Sequence, residues 1–124
     1  MPLLTVHLPA GYTPNQKSEL LQQSSQAVTD AIGAPQSSIR ITLQEHSAEN
    51  TIVAGQIGAP HLLYIVYLIA GRTVELKSAL IAALDKAATS SLGLSSDEVR
   101  VMIQDVPKSD MGMAGGISAL AAGR

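Results

Sequence analysis

Two stretches decide the fold: Pro2-Leu3-Leu4-Thr5-Val6-His7-Leu8-Pro9-Ala10-Gly11-Tyr12-Thr13 and Leu62-Leu63-Tyr64-Ile65-Val66-Tyr67-Leu68-Ile69-Ala70-Gly71-Arg72-Thr73. Each is a short run rich in Leu, Val, Ile, Tyr and Thr that closes on Ala-Gly-X-Thr, the composition of a strand followed by a turn. They lie about 60 positions apart, and the same shift keeps working downstream. It pairs Lys17-Ser18 with Lys77-Ser78, Leu20 with Leu80, Gly33 with Gly93, Arg40 with Arg100, Gln44 with Gln104 and Ala54-Gly55 with Ala114-Gly115. Roughly 17 identities over about 57 positions, with no gap, mark a fused duplication. Two copies are too few for a solenoid, so the chain reads as one domain of residues 1–124. Its first unit is 2–58 and its second 61–118, joined by Gly58-Ala59-Pro60 and followed by a tail, 119–124.

Each copy carries the same signals. After the first strand, residues 2–9 or 61–69, comes a helix. Thr13 is an N-cap, Pro14 suits the first helical position and Gln16 completes a capping box. In the second copy Thr73 caps and Glu75 favours the first turn. Leu76, Leu80, Ala83, Leu84 and Ala87 form an apolar stripe at helical spacing. Leu20, Ala27, Val28 and Ala31 form a poorer one. Gly33 and Gly93 end the helices. Second strands follow at Ile39–Gln44 and Val99–Gln104, then short hairpin pieces at Thr51–Ala54 and Met111–Ala114. A strand, a helix and a strand in so few residues make a right-handed crossover with parallel strands. The expected fold is α/β (α+β): tandem β-α-β repeats forming a four-stranded sheet with two helices on one face. The other sheet face is then bare, and burial against further copies predicts an oligomer.

Composition bounds the function. The chain has 124 residues, 46% apolar and only 15% charged, with a net charge of −2. So few charges hardly cover a monomer's surface, which again points to burial between subunits. The charge gives nucleic acid no electrostatic footing, and there is no basic run for a membrane. Cysteine is absent, removing disulfides, thiol nucleophiles and thiolate metal sites. The N-terminal residues lack the basic segment of a signal peptide, and the longest apolar run, Leu62 to Ala70, is about half a membrane span. A cytoplasmic protein is expected.

His7, His46 and His61 lie on different segments without metal-ligand spacing and read as strand or loop residues. Gly112-Met113-Ala114-Gly115-Gly116 lacks the ending of a phosphate loop and reads as a turn. Glu45 and Asp105, at strand ends, read as a solvated rim. Pro2 opens a strand, where a missing N–H costs least. Removal of Met1 would expose it as a secondary amine, and burial near cations would lower its pKa toward that of a general base. The chain has four arginines, Arg40, Arg72, Arg100 and Arg124. Arg40 and Arg100 hold the same position in the two copies, and Arg72 follows the Gly71 turn. Guanidinium groups at apolar strand ends suit carboxylate binding, but also a surface charge or a subunit salt bridge.

Leu68-Ile69-Ala70-Gly71-Arg72-Thr73, Val99-Arg100-Val101, Pro107-Lys108 through Gly115-Gly116 and the initial Pro2-Leu3-Leu4 resemble the 4-oxalocrotonate tautomerase family. The resemblance covers nearly the whole chain, each half being similar to one short subunit of a fused, double-length member. It implies that Pro2 is the catalytic base and that Arg72 binds and polarises a substrate carboxylate. It implies further that Arg40 or Arg100 acts on the 2-oxo or 2-hydroxyl end. Met111 stands where the family's hydrophobic wall residue is usually Phe, and Leu8 is expected beside the substrate with it. The activity implied is enol–keto conversion of a 2-hydroxy-dienoate or 2-oxo acid, a small-molecule carboxylate, by a homotrimer of fused units that requires no cofactor or metal.

The departures narrow this. Leu62 opens the second copy and Tyr12 holds the place of Arg72 in the first, so the two pseudo-symmetric sites are not equivalent. Ile69, Gly112 and Met113, Ile32, and Ser37 and Ser38 stand where the dehalogenase and decarboxylase branches carry their extra groups, which disfavours those branches. Two other readings stay open at this level. One is a non-catalytic oligomeric assembly protein that retains Met1. The other is a hydratase of an unsaturated acid, which needs a water-activating carboxylate.

Overall fold

The computed structural model describes residues 1–124. In chain order the elements are β1 (Leu3–Pro9), α1 (Pro14–Ile32), β2 (Arg40–His46), β3 (Ile52–Val53), β4 (Gln56–Ile57), β5 (Leu62–Ile69), α2 (Val74–Leu92), β6 (Val99–Val106), β7 (Gly112–Met113) and β8 (Ile117–Ser118). The helix signals act as the sequence implies. Thr13 accepts from the Gln16 N–H, and the Gln16 side chain accepts from the Thr13 N–H, closing the capping box. Thr73 accepts from the Leu76 N–H. Gly33 and Gly93 end the helices at φ 72°, a left-handed conformation that a Cβ disfavours. β2 and β6 each run two residues beyond the expected Gln44 and Gln104.

β1 pairs in parallel with β2, and β5 with β6, as the crossovers require. The two units join through an antiparallel β1–β5 pairing, giving one sheet in the order β2-β1-β5-β6. Its register sets Leu3 opposite Tyr67 and His7 opposite Leu63. β3–β4 and β7–β8 are separate two-stranded hairpins.

Alternate residues of the central strands face the helices. Leu4, Val6 and Leu8 of β1, and Leu62, Tyr64, Val66 and Leu68 of β5, join Leu20 and Val28 of α1 and Leu80, Leu84 and Ala88 of α2 in one core. Leu76, expected in the α2 stripe, is 37% exposed. It sits in the first turn, and the stripe is completed further along by Ala88 and Leu92. The α1 stripe is poor in apolar residues because Ser24 occupies its centre. That serine is fully buried, and its Oγ lies 2.8 Å from the Tyr64 hydroxyl, so each satisfies the other. Burial is the main reason the Tyr64 phenol is pushed up to about 12; the Asp85 charge adds to the rise and the Ser24 bond opposes it. The opposite sheet face carries Leu3, Thr5, His7, Leu63, Ile65 and Tyr67, all half-buried, and Met102, which is exposed. Neither helix is long and apolar enough to cross a membrane.

Because Ser24 and Tyr64 satisfy each other in the core, removing one partner is costlier than removing both. Tyr64→Phe or Ser24→Ala alone is expected to lower stability in urea unfolding by about 1–3 kcal/mol, and the double variant by less than the sum. Single variants indistinguishable from wild type would contradict the buried pair.

Candidate active site

The β1–β5 pairing decides what surrounds Pro2. With Leu3 opposite Tyr67, the residues before it run beside Leu68 and Ile69 and reach the turn that carries Arg72. Pro2 is fully buried, and its carbonyl accepts the Arg40 N–H at 3.1 Å. Met1, the residue before it, lines a cavity of about 360 Å³ together with the Ile69-Ala70-Gly71-Arg72 turn, Lys108 and Arg124. One Arg72 Nη donates to the Ile69 carbonyl at 3.4 Å, leaving the rest of the guanidinium free.

Three of the lining residues carry cationic side chains and none an acidic one. The chain's two ion pairs, Lys17–Glu45 at 3.4 Å and Lys77–Asp105 at 2.8 Å, lie elsewhere and occupy equivalent positions in the two units. The strand-end carboxylates are thus ion-paired rim groups, and none of the four arginines has an acidic partner. Burial first, then the charges of Arg72 and Arg124, hold the amino group of Met1 below its usual range. Cations with no internal partner, facing an amine disfavoured as a cation, form a site for an external anion.

The other expected site residues are distributed unequally. Arg40 begins β2 beside Leu3. Its neighbours Ile41 and Leu43 pack on the core, so strand alternation puts the exposed Arg40 side chain on the open face. Arg100 pairs with Leu63, which stands opposite His7. That is four strand positions, about 13 Å, from the level of Leu3. Its Nη1 donates to the carbonyls of Asp97 at 2.8 Å and Val99 at 2.9 Å. Within one chain, Pro2 and Arg72 therefore come together and Arg100 does not join them. Met111 is half-buried in the turn before β7 and does not line the cavity. The expectation for Leu8 is corrected: it is fully buried in the core beneath the helices and faces no cavity. Lys108 and Arg124 were not anticipated. No spacing in the sequence marks Lys108 or Arg124, and only the fold brings either to Met1 and the Arg72 turn.

The equivalent end of the first unit is different. Leu62 replaces the proline, and Tyr12 replaces Arg72. A cavity of about 280 Å³ there is lined by Pro9-Ala10-Gly11-Tyr12, Gly58 and Pro60, without a cation. This end instead gathers the histidines that the sequence scattered over separate segments. His7 Nδ1 lies 2.9 Å from His46 Nε2, the ring planes are 16° apart, and His61 is near enough to act on His7 electrostatically. They do not form a metal-holding group.

The sequence matches the model of the tautomerase enzyme family twice, over residues 2–59 and 64–120. The chain belongs to the tautomerase family. This tautomerase is 42% identical over 59 residues to the 2-hydroxymuconate tautomerase of Comamonas testosteroni, a match spanning 48% of this chain and 92% of that protein. It is 52% identical over 50 residues to a probable tautomerase of Ralstonia nicotianae, spanning 40% of this chain and 71% of the relative. Matches of about one unit's length agree with the duplication. Among solved structures, a fused 4-OT wild-type symmetric trimer superposes with a TM-score of 0.95 at 55% identity, covering 98% of this chain and 99% of that one. A homologue inactivated by 2-oxo-3-pentynoate superposes with a TM-score of 0.97 at 46% identity, again covering 98% and 99%. The tautomerase is a double-length, 4-oxalocrotonate tautomerase-like isomerase.

The histidine pair makes stability depend on pH. Burial, then the neighbouring His46 and His61, hold His7 below the usual histidine range. The folded state therefore binds fewer protons than the unfolded one. The contribution is complete above the unfolded value of about 6.5 and is lost as pH falls through the lower folded value. Thermal unfolding is expected to drop in temperature from pH 7 to 5, with a shallower slope for His7→Gln. Identical slopes would show that the pair carries no pH dependence.

Proposed function

We propose that removal of Met1 frees Pro2 as a secondary amine, which acts as the general base of the tautomerase reaction. The observation that supports this most directly is the cavity against Met1, next in the chain to Pro2, with Arg72, Lys108 and Arg124 in its lining and no acidic side chain. The burial and charges that lower the Met1 amine lie one residue from the Pro2 nitrogen, and would disfavour the cation of a terminal proline in the same direction, as a general base needs. Pro2 removes the proton of a 2-hydroxy-dienoate hydroxyl, and the electron pair delocalises along the chain as a dienolate. The same nitrogen then returns the proton to a distal carbon, giving the 2-oxo acid. Arg72 holds a substrate carboxylate. One of Arg40 and Arg100, both exposed at sheet edges, supplies the second cation across a subunit interface. Each such donor typically contributes about 100- to 1000-fold in rate. The relatives named as 2-hydroxymuconate tautomerases support a dicarboxylate of that kind as substrate. A hydratase is less well supported, because the cavity presents no carboxylate to activate water.

The fused 4-OT relatives are trimers, and we propose a homotrimer here. The partly apolar open face and the free edges of β2 and β6 are the surfaces that such an assembly covers. Sedimentation should give three times the 12.9-kDa chain; a monomer at micromolar concentration would contradict it.

The intact mass of untagged protein is expected to lack one methionine. On that material Pro2→Ala should abolish most conversion of 2-hydroxymuconate in an ultraviolet assay, and Arg72→Ala should impair its binding and turnover. An unimpaired Pro2→Ala variant would sink the proline mechanism. Retention of Met1, which makes the Pro2 nitrogen an amide, would favour the non-catalytic assembly reading.

A further inference from the structure

The segment after the second unit has no equivalent in the first, where the same shift reaches the linker and the start of β5. Arg124 corresponds to Tyr64, a core residue. The segment is not loose. Ala119 is fully buried, its N–H donating to the Met111 carbonyl at 2.8 Å, and the Leu120 N–H donates to the Lys108 carbonyl at 3.1 Å. The Gly123 N–H donates to Leu120 at 3.2 Å and the Arg124 N–H to Ala119 at 2.9 Å, with Gly123 at φ 74°. Those two bonds around a left-handed glycine form a Schellman closure, which fixes the direction in which the next residue leaves. That next residue is Arg124. It lines the cavity against Met1 with Arg72 and Lys108, and no acidic side chain of the protein pairs with it.

Resting on the reading of Pro2 as the base, we propose that Arg124 is a substrate-binding residue. Together with Arg72 it holds the carboxylate remote from the reacting hydroxyl, and so makes the enzyme selective for dicarboxylates over monocarboxylates. A carboxylate has about four lone-pair sites and accommodates two guanidinium groups. The first unit has Tyr12 at the position of Arg72 and no segment equivalent to the one that carries Arg124, so the carboxylate clamp is built only where the proline is. Gly123 is a positioning residue for it.

The test compares Met1-free wild type and Arg124→Gln on 2-hydroxymuconate and on 2-hydroxy-2,4-pentadienoate, which lacks the remote carboxylate. Arg124 is exposed, so the substitution leaves the core intact, and an unchanged unfolding temperature checks this. KM for the dicarboxylate should rise about ten-fold or more, as expected for loss of a charge-assisted hydrogen bond. KM for the monocarboxylate should stay within about two-fold on the same ground. Arg124→Lys should restore part of the difference, and Gly123→Val should reproduce it more weakly by misdirecting the arginine. Equal effects on both substrates, or none, would overturn the proposal. If Pro2→Ala abolishes turnover while Arg124→Gln changes nothing, the clamp falls and the proline mechanism stands. If Pro2→Ala is fully active, the mechanism on which the clamp rests falls as well.

Discussion

The antiparallel pairing of β1 with β5 is the constraint on which the rest of the molecule depends. It is the only sheet contact between the two β-α-β units, and its register sets which residues meet at each end. Because Leu3 faces Tyr67, Pro2 adjoins the end of β5 and the Arg72 turn. The same register separates Arg100 from the level of Leu3 by about 13 Å along the strands, and Pro2 lies one residue further still. A slip of one residue would turn every side chain of β1 to the other face. Leu4, Val6 and Leu8 would leave the core, which is why one register is strongly specified.

From that pairing follows an asymmetry that the duplication alone does not contain. Two units related by a common sequence should present two similar ends, yet one is cationic and the other holds tyrosine, leucine and the histidine pair. The paired acids confirm that this is not a general excess of base. Glu45 and Asp105 are matched to Lys17 and Lys77 in both units, whereas the guanidinium groups are left without partners. The unpaired cations beside the half-buried amine of Met1 disfavour its protonated form and leave room for an anion. In the proposed mechanism one arrangement thus serves both the base and the binding.

Much of the fold was legible in the sequence because it is written locally. Thr13-Pro14, Gln16, Thr73, Gly33 and Gly93 mark helix ends through backbone bonds within a few residues, and the repeat doubled each signal. The pattern at β1 was legible as a strand, but its phase was not. Period-2 alternation left open whether Leu8 faced the core or a substrate, and burial under the helices decided it. Leu76 failed for a related reason, since helical spacing does not say in which turn the packed stripe begins. Of the residues to which the resemblance assigned roles, the fold brings Pro2 and Arg72 to one end of the sheet, sets Arg40 beside Leu3 and leaves Arg100 further along the other edge. Lys108 and Arg124 depend on a contact between opposite ends of the chain, and the pairing of His7 with His46 on two adjacent strands. Neither leaves a spacing to read.

The central claim is that the Pro2 nitrogen is a free amine whose proton is weakened by the cavity around it. A ¹⁵N NMR titration of proline-labelled protein measures this directly. The account predicts one titrating secondary amine whose pKa lies below the ordinary α-amino value of about 8 and rises in Arg72→Ala. A Pro2 nitrogen that does not titrate, or that titrates at or above that ordinary value, would contradict it.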